Sequence, residues 1–419
     1  MSARHSEGIG VLGRMRESWS AVRISLRAGP KSGRHPRGVA LLLVLVTMAM
    51  MAAFTTEFHY KSYVSLHVGS NLRDDVVAYY HARSAMEIAR LVVKSQNVAD
   101  NMLNAMAAFV PNIKSQNIEL WTFACEFANA FCSGKLKLMG KTFFDFTGMK
   151  GVGLEKGGFC KCRAKPEDGR INVNRVDSLA DKNQMFSELY STFIQFKEEP
   201  ATDVREIDKD VAELVLNIID WADPDDQRSD LVGNMVQNSA QAEGMGYDKG
   251  FTPKNGKFDT LRELLLVDKM DRQLYCKVAE ELTPYTTKKL NVNTAPLRTL
   301  RRLICEHTSN AAEACYGLGG LQIPTMDFGM YCLEMCRTLR QSLMSPGFSN
   351  TGQFTKFFDL LPAEWQPRPV LDKKTIAKKV GVKSRVIRVE TSGGHYTTYR
   401  SLTGIIDSST GDYVYWREY

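Results

Sequence analysis

The chain has 419 residues, 44% hydrophobic and 24% charged. At about 150 residues per domain that allows about three units with ordinary cores, which excludes a wholly disordered chain, a collagen-like repeat and a polytopic membrane protein. The net charge of +7 suggests a nucleic-acid-binding surface until it is mapped: residues 1–38 hold eight Lys/Arg (Arg4, Arg14, Arg16, Arg23, Arg27, Lys31, Arg34, Arg37) against Glu7 and Glu17, so the rest of the chain is close to neutral.

Residues 39–54, VALLLVLVTMAMMAAF, carry no charge, and Thr55 and Thr56 extend the run to eighteen before Glu57. At 1.5 Å per residue such a helix spans about 27 Å, close to the roughly 30 Å of a bilayer hydrocarbon core. The basic flank is expected to stay in the cytoplasm, which sends the residues after 57 across the membrane. A cleavable secretory signal has a similar layout, but no small-x-small site leads out of the run. A buried core helix is the other reading, and the eight positive charges upstream weigh against it. Beyond the run, Leu72, Val76 and Tyr80, then Ala82, Ala85, Met86, Ala89 and Val93, recur at helical spacing with Arg73, Asp74, Asp75, Arg83 and Arg90 between them. The pattern predicts one long helix, loosened at Gly69-Ser70, whose first part spans membrane and whose second part packs on a soluble domain.

Residues 101–175 are mixed, with strand-like pieces at 141–146 and 158–164 and glycine-rich turns over 148–158. The glycines at 151, 153, 157 and 158 lack the Gly-Lys-Ser/Thr ending of a phosphate loop. From 177 to 345 the pattern is helical, with segments at 177–196, 208–221, 260–266, 271–281, 296–305 and 326–343 that start on Asp, Thr or Pro or just after. From about 384 it becomes β: short β-branched and aromatic runs at 385–390, 396–402, 403–407 and 412–417, separated by Ser-Gly-Gly and Ser-Ser-Thr-Gly. A helical block between strand-bearing segments predicts an α+β domain with a large all-α insertion. The expected divisions are 1–38 as a basic leader, 39–66 as transmembrane and stalk helix, 67–176 as the first part of the α+β domain, 177–345 as the insertion, and 346–419 as linker and C-terminal β part.

Arg37-Gly38-Val39 places a glycine between a basic residue and the apolar helix, which resembles the type IV prepilin signal. In that family a membrane peptidase cuts after the glycine, leaving Val39 as the first mature residue. The fifth mature position is then Leu43, where pilin-like subunits nearly always have glutamate. A carboxylate in lipid is costly unless paired, and its usual partner is the terminal amine of the subunit ahead. Leu43 has no such need, which implies a leading position. Further on stand Asp-Gly-Arg-Ile-Asn-Val-Asn at 168–174, DKDVAELVLNIIDWADPDD at 208–226 and Leu-Asn-Val-Asn-Thr-Ala-Pro at 290–296. In this order, with the junction and the Tyr415-Trp416-Arg417-Glu418 ending, they resemble the GspK family of type II secretion minor pseudopilins. That resemblance implies a pilin-like fold, with the long N-terminal helix packed on an antiparallel sheet, and a large helical insertion. It also implies a place at the tip of the pseudopilus, where the subunit helps initiate assembly for export across the outer membrane. The expected partners are I- and J-type minor pseudopilins, the major pseudopilin, the prepilin peptidase and the inner-membrane assembly platform. The chain would be held in the inner membrane by a single pass, with its bulk in the periplasm. The leader is long for the family, and the cysteines are more numerous than the family leads one to expect.

The clustered carboxylates Asp220, Asp223, Asp225 and Asp226 repel unless hydrated or bridged, and calcium takes six to eight oxygens from such loops. A solvated helix end broken by Asp-Pro is the plainer reading; the family's tip subunit binds calcium, which makes calcium the expected ion. All nine cysteines follow the apolar run. Disulfides are expected among Cys125, Cys132, Cys160, Cys162, Cys305, Cys315, Cys332 and Cys336, with Cys125–Cys132 and Cys305–Cys315 as plausible pairs and connectivity open. Asn172/Asn174 and Asn291/Asn293 precede helices they are suited to cap. Similar Asn-Val-Asn-Thr-Ala sequences open helix-hairpin-helix DNA modules, but the glycine-rich hairpin those modules need is missing nearby, so nucleic acid is not an expected partner. A minor pilin of a type IV pilus is a second alternative. No Gly-x-Ser-x-Gly, His-Glu-x-x-His or P-loop occurs, and the chain reads as an assembly protein rather than an enzyme. Replacing Gly38 by a bulky residue should block processing at the 38–39 bond, seen on an immunoblot as accumulation of the precursor, whereas Leu43→Glu should be tolerated or only mildly disruptive.

Overall fold

The computed structural model describes residues 38–106, 119–138, 141–145, 154, 157–196, 208–243, 252–286, 289–317, 324–342, 347–362 and 364–419. The leader, including Arg37, and most of the glycine-rich turns lie outside them. The chain divides into two units, residues 1–70 and 71–419. One helix, α1 (Val39–Met106), contributes to both, and Gly69-Ser70 lies within it.

In the first unit every side chain from 39 to 70 is exposed. The helix is long and apolar enough to cross a membrane. The hydroxyls of its threonines are satisfied internally: Thr47 Oγ1 donates to the Val44 carbonyl at 2.9 Å, Thr55 to Met51, and Thr56 to Ala52 at 2.7 Å. In hydrocarbon that leaves no polar side-chain atom of the threonines unpaired. The first ion pair, Glu57 with Lys61 at 2.7 Å, comes just after the apolar run.

The second unit is built on a four-stranded antiparallel sheet of β3 (Gly158–Pro166), β10 (Val386–His395), β11 (Thr398–Asp407) and β12 (Tyr413–Glu418), in the order β12-β11-β10-β3. Residues 71–106 of α1 pack on it. Ala78, Ala82, Ala85, Met86, Ala89 and Val93 are fully buried, and from Ala82 onward several of them share a core with Ile387, Val389, Leu402 and Ile406. The small side chains let backbone meet backbone: a Cβ added to Gly393 would lie 2.2 Å from the Ala82 nitrogen and 2.3 Å from the Ala78 carbonyl oxygen. The hairpin β1 (Lys135–Leu138) with β2 (Lys141–Asp145) stands apart from this sheet. The runs expected at 396–402 and 403–407 form one strand, β11, because no turn residue interrupts Leu402-Thr403 and the hairpin turns earlier, at Tyr396.

The insertion between β3 and β10 is larger than 177–345 and is not all-α. It holds the minimal strands β4 (Ile171–Asn172), β7 (Leu282–Thr283), β8 (Leu290–Asn291) and β9 (Val380–Gly381), and a hairpin of β5 (Gln227–Val232) and β6 (Met235–Ala242). Two separate cores fill it. The first, from Ile171 to Leu282, forms around α3 (Leu179–Phe193) and α4 (Lys209–Ala222). The second, from Val292 to Val380, forms around α6 (Leu297–Glu306) and α8 (Thr325–Ser342). The segment expected as linker therefore belongs largely to the second core, which buries Phe354, Phe358 and Ile376.

The two cores are closed in the same way. In the first, β4 pairs in parallel with β7; in the second, β8 pairs in parallel with β9. Asn172 Oδ1 accepts the Asn174 N–H at 2.8 Å, and Asn291 Oδ1 accepts the Asn293 N–H at 2.9 Å. The second asparagine then reaches across each core. Asn174 donates to the Phe258 and Pro284 carbonyls and accepts the Phe258 N–H; Asn293 donates to Phe348 and Val382 and accepts the Phe348 N–H. Two residues after each phenylalanine comes a capping residue whose partner lies three further on, Thr260 with Glu263 and Asn350 with Gln353. The insertion is thus an internal repeat. The asparagines close tight turns and pin distant backbone, and they are not helix caps: Ser178 caps α3, and Pro296 precedes α6.

The insertion leaves and re-enters the sheet at one clamp. Asp168 Oδ2 accepts the N–H groups of Arg385 and Val386 at 2.6 and 2.7 Å, and Glu167 pairs with Arg388 at 2.5 Å. Gly169 is needed beside it, since a Cβ there would lie 2.7 Å from the Thr294 carbonyl carbon. Gly393→Val should lower the stability of residues 71–419 by about 2–3 kcal/mol through overpacking, read as a lower midpoint in urea unfolding.

Candidate functional site

Cysteines first report on compartment. Among the described residues Cys125 is joined to Cys162, Cys132 to Cys160 and Cys305 to Cys315, while Cys276, Cys332 and Cys336 are thiols. Cys125 and Cys132 are not joined to each other. They stand two turns apart on α2 (Ala124–Ser133), about 10 Å along the axis, which is beyond disulfide reach. Each instead meets a cysteine two residues from the other on one face of β3. Three disulfides in the residues after the apolar run fit an oxidising compartment.

A Cβ added to Gly38 would meet nothing within 4 Å, and the Gly38 carbonyl accepts the Leu42 N–H at 3.0 Å as α1 begins. Leu43 is exposed on the apolar stalk.

The acidic loop is where the chemistry gathers. Asp208 caps α4 through the Val211 N–H, and the helix buries nearly every side chain from Val211 to Ala222 before ending at Asp223. Asp220 and Asp223 are therefore carried inward on its last turn. The turn Gly233-Asn234, with Gly233 at φ +66°, folds β5 back along β6 and returns the chain to Glu243. Carboxylate oxygens of Asp220, Asp223 and Glu243 all lie within 4.8 Å of one another. Asp220 Oδ1 accepts the Ser229 N–H at 2.9 Å. The oxygens of Asp223 and Glu243 are buried against each other, and the two carboxyls form a hydrogen-bonded pair. The positive charge touching them is Lys182 of α3, whose Nζ lies 2.5 Å from Asp223 Oδ2 and 3.3 Å from Asp225 Oδ2.

The electrostatics follow from that crowding. Burial, with Asp223 adding repulsion, pushes Asp220 up to about 7 in spite of the Ser229 amide. Burial and the charges of Asp220, Asp223 and Asp225 push Glu243 up to about 9. Asp223 is raised by burial and by Asp225, with Lys182 opposing. Burial works against the Lys182 ammonium, but Asp223 and Asp225 outweigh it and hold it above the ordinary lysine range.

The four expected aspartates do not form one site. Asp220 and Asp223 meet in the cluster. Asp225 stands at its rim, accepting the Gln227 N–H and bonding Lys182 and Asn238. Asp226 is engaged by Asn255 at 2.6 Å and is not among the clustered carboxylates. Sequence spacing missed Glu243 and Lys182, which the hairpin and α3 bring in from elsewhere; the Gly-Asn turn was the available clue to the hairpin.

The Asn-Val-Asn turns offer nothing to a phosphate. The N–H groups of Val292, Asn293, Thr294 and Ala295 donate to Gly381 O, Asn291 Oδ1 and Asn291 O, and those of Val173 and Asn174 to Thr283 O and Asn172 Oδ1.

Asp220 and Glu243 have folded-state values above the roughly 4 of an unfolded carboxyl. Their contribution to stability is therefore full below about pH 4 and is lost as pH rises through 7 and then 9. In the presence of a chelator, the melting temperature of residues 71–419 should fall over that window, and Glu243→Gln should remove the upper part of the fall.

No protein-family model matches the chain, and no curated protein matches it. Among solved structures it is similar to a chain of the GspK–GspI–GspJ complex from the enterotoxigenic Escherichia coli type 2 secretion system, with 14% identity and a TM-score of 0.41 over 63% of this chain and 80% of that one.

Proposed function

We propose that this chain is a type II secretion minor pseudopilin that caps the pseudopilus tip and helps initiate its assembly. The observation that carries the reading is the junction: Arg37-Gly38 directly before an apolar helix whose fifth residue, Leu43, has no acid. Such a helix gains from packing beside other stalks but has no carboxylate requiring an amine in front of it. The insertion supports the same position. It adds two cores, from 171 to 282 and from 292 to 380, to a sheet domain that a repeating subunit would need to keep open for the neighbour above. Partners on this reading are I- and J-type minor pseudopilins and the major pseudopilin, with the prepilin peptidase and assembly platform acting on the precursor. The chain is anchored in the inner membrane with residues after 57 in the periplasm, which the three disulfides support.

Calcium is the proposed ion. Asp220, Asp223 and Glu243, with Asp225 beside them, would hold it. The ligand set is all carboxyl, with oxygens of Asp220, Asp223 and Glu243 within 4.8 Å of one another, and such an oxygen-only set suits a hard cation. When bound it would neutralise carboxylates on α4, on the turn after it and at the end of β6. Asp226 is not proposed as a ligand.

A DNA-binding module is disfavoured by the occupied amides of both asparagine turns. Two measurements test the main reading. Mature protein purified from membranes should begin at Val39, and residues 67–419 should co-purify with I- and J-type pseudopilins. A monomer indifferent to both, or a mature chain starting elsewhere, would contradict it.

A further inference from the structure

We propose that Lys182 is a tethered cation that occupies the acidic cluster when no metal is bound and withdraws when one arrives. The inference rests on the reading of Asp220, Asp223 and Glu243 as a divalent-cation site and adds a device for setting its affinity.

Lys182 is buried, with 6% of its surface exposed, and it enters the cluster from α3, an element separate from those that supply the carboxylates. Its ammonium has three protons and three acceptors: Asp223 Oδ2 at 2.5 Å, Asp225 Oδ2 at 3.3 Å and Asn238 Oδ1 at 3.2 Å. The shortest of these contacts is to the most deeply buried carboxylate, since Asp223 has no exposed surface. The ammonium therefore stands where a cation ligated by Asp223 would stand. It does not balance the site alone: its one positive charge faces Asp223 and Asp225 with Asp220 close by, and Glu243 sits against Asp223 as a hydrogen-bonded carboxyl pair.

The other two acceptors define a way out. Asp225 is partly exposed and Asn238 on β6 is exposed, so both lie on the solvent side of the cluster. A lysine stem is long enough to keep those two contacts while its ammonium leaves Asp223. A dication and an ammonium cannot share one carboxylate at van der Waals distance without strong repulsion in a poorly solvated site. Metal entry and lysine withdrawal are then one event, and the cost of moving the lysine weakens the metal.

The test uses the full chain in detergent, with calcium chloride titrated calorimetrically and unfolding followed in calcium or EDTA. Lys182→Met should bind calcium roughly tenfold or more tightly than the native chain. It should melt lower than the native chain in EDTA and recover in calcium. Equal calcium affinity in the two proteins would overturn the lysine's role while leaving the metal site standing. Binding by neither would overturn both. Should the variant fail to fold in either buffer, the native protein decides: acetylation of Lys182, read by mass spectrometry, should rise as calcium saturates, and unchanged labelling would refute the withdrawal.

Discussion

The contact between the second half of α1 and β10 is the constraint on which the second unit depends. Ala78, Ala82, Ala85 and Ala89 present a face with almost no side-chain depth, and Gly393 opposite has none. Helix and strand therefore meet at backbone distance, and larger residues on either side would separate them. Because β10 is the central partner of both β3 and β11, its seat on the helix sets the register of the whole sheet. Met86 and Val93 then pack in one core with Ile387, Val389, Leu402 and Ile406 of the sheet.

That register explains how more than two hundred residues enter a small sheet without disturbing it. Pro166 and Ile387 are paired neighbours on β3 and β10. The insertion begins and ends at adjacent points, so closing it asks nothing of the sheet's geometry. Asp168 holds the returning strand by two backbone amides, and Asn291 N–H donates to the Asp168 carbonyl at 2.7 Å, so the same residue also ties in the start of the second repeat. The motif at 168–174 is the hinge pin of an insertion and the opening of its first repeat.

Helices were the most legible part of the sequence. The segment expected at 208–221 is α4, shifted by one residue because Asp208 is its cap. Helical periodicity also placed Ala82, Ala85, Met86, Ala89 and Val93 in the core, whereas Leu72, Val76 and Tyr80 of the same pattern are exposed. What stayed hidden depends on distant partners. The strands β5 and β6 are largely polar and exposed and lack the alternation that marks a half-buried strand. The helix α9 (Thr351–Phe357) is too short for its period to stand out from a loop. Spacing cannot tell that Asp226 leaves the acidic cluster or that Glu243 joins it, because one hairpin register decides both. Disulfide connectivity likewise follows from α2 lying along β3.

The acidic cluster also sits where the backbone makes it least comfortable. Asp220 and Asp223 occupy the C-terminal turn of α4, where the unpaired carbonyls and the helix dipole already contribute negative potential. Burial removes the water that would screen them, and Glu243 adds a third carboxyl from the far end of the hairpin. Asn or Gln at these positions would fill similar space without the repulsion, so packing alone gives no reason for three acids. A buried arrangement that costs stability persists when something compensates for it. Among the described residues that compensation is Lys182 from another helix, whose ammonium contacts Asp223 and Asp225.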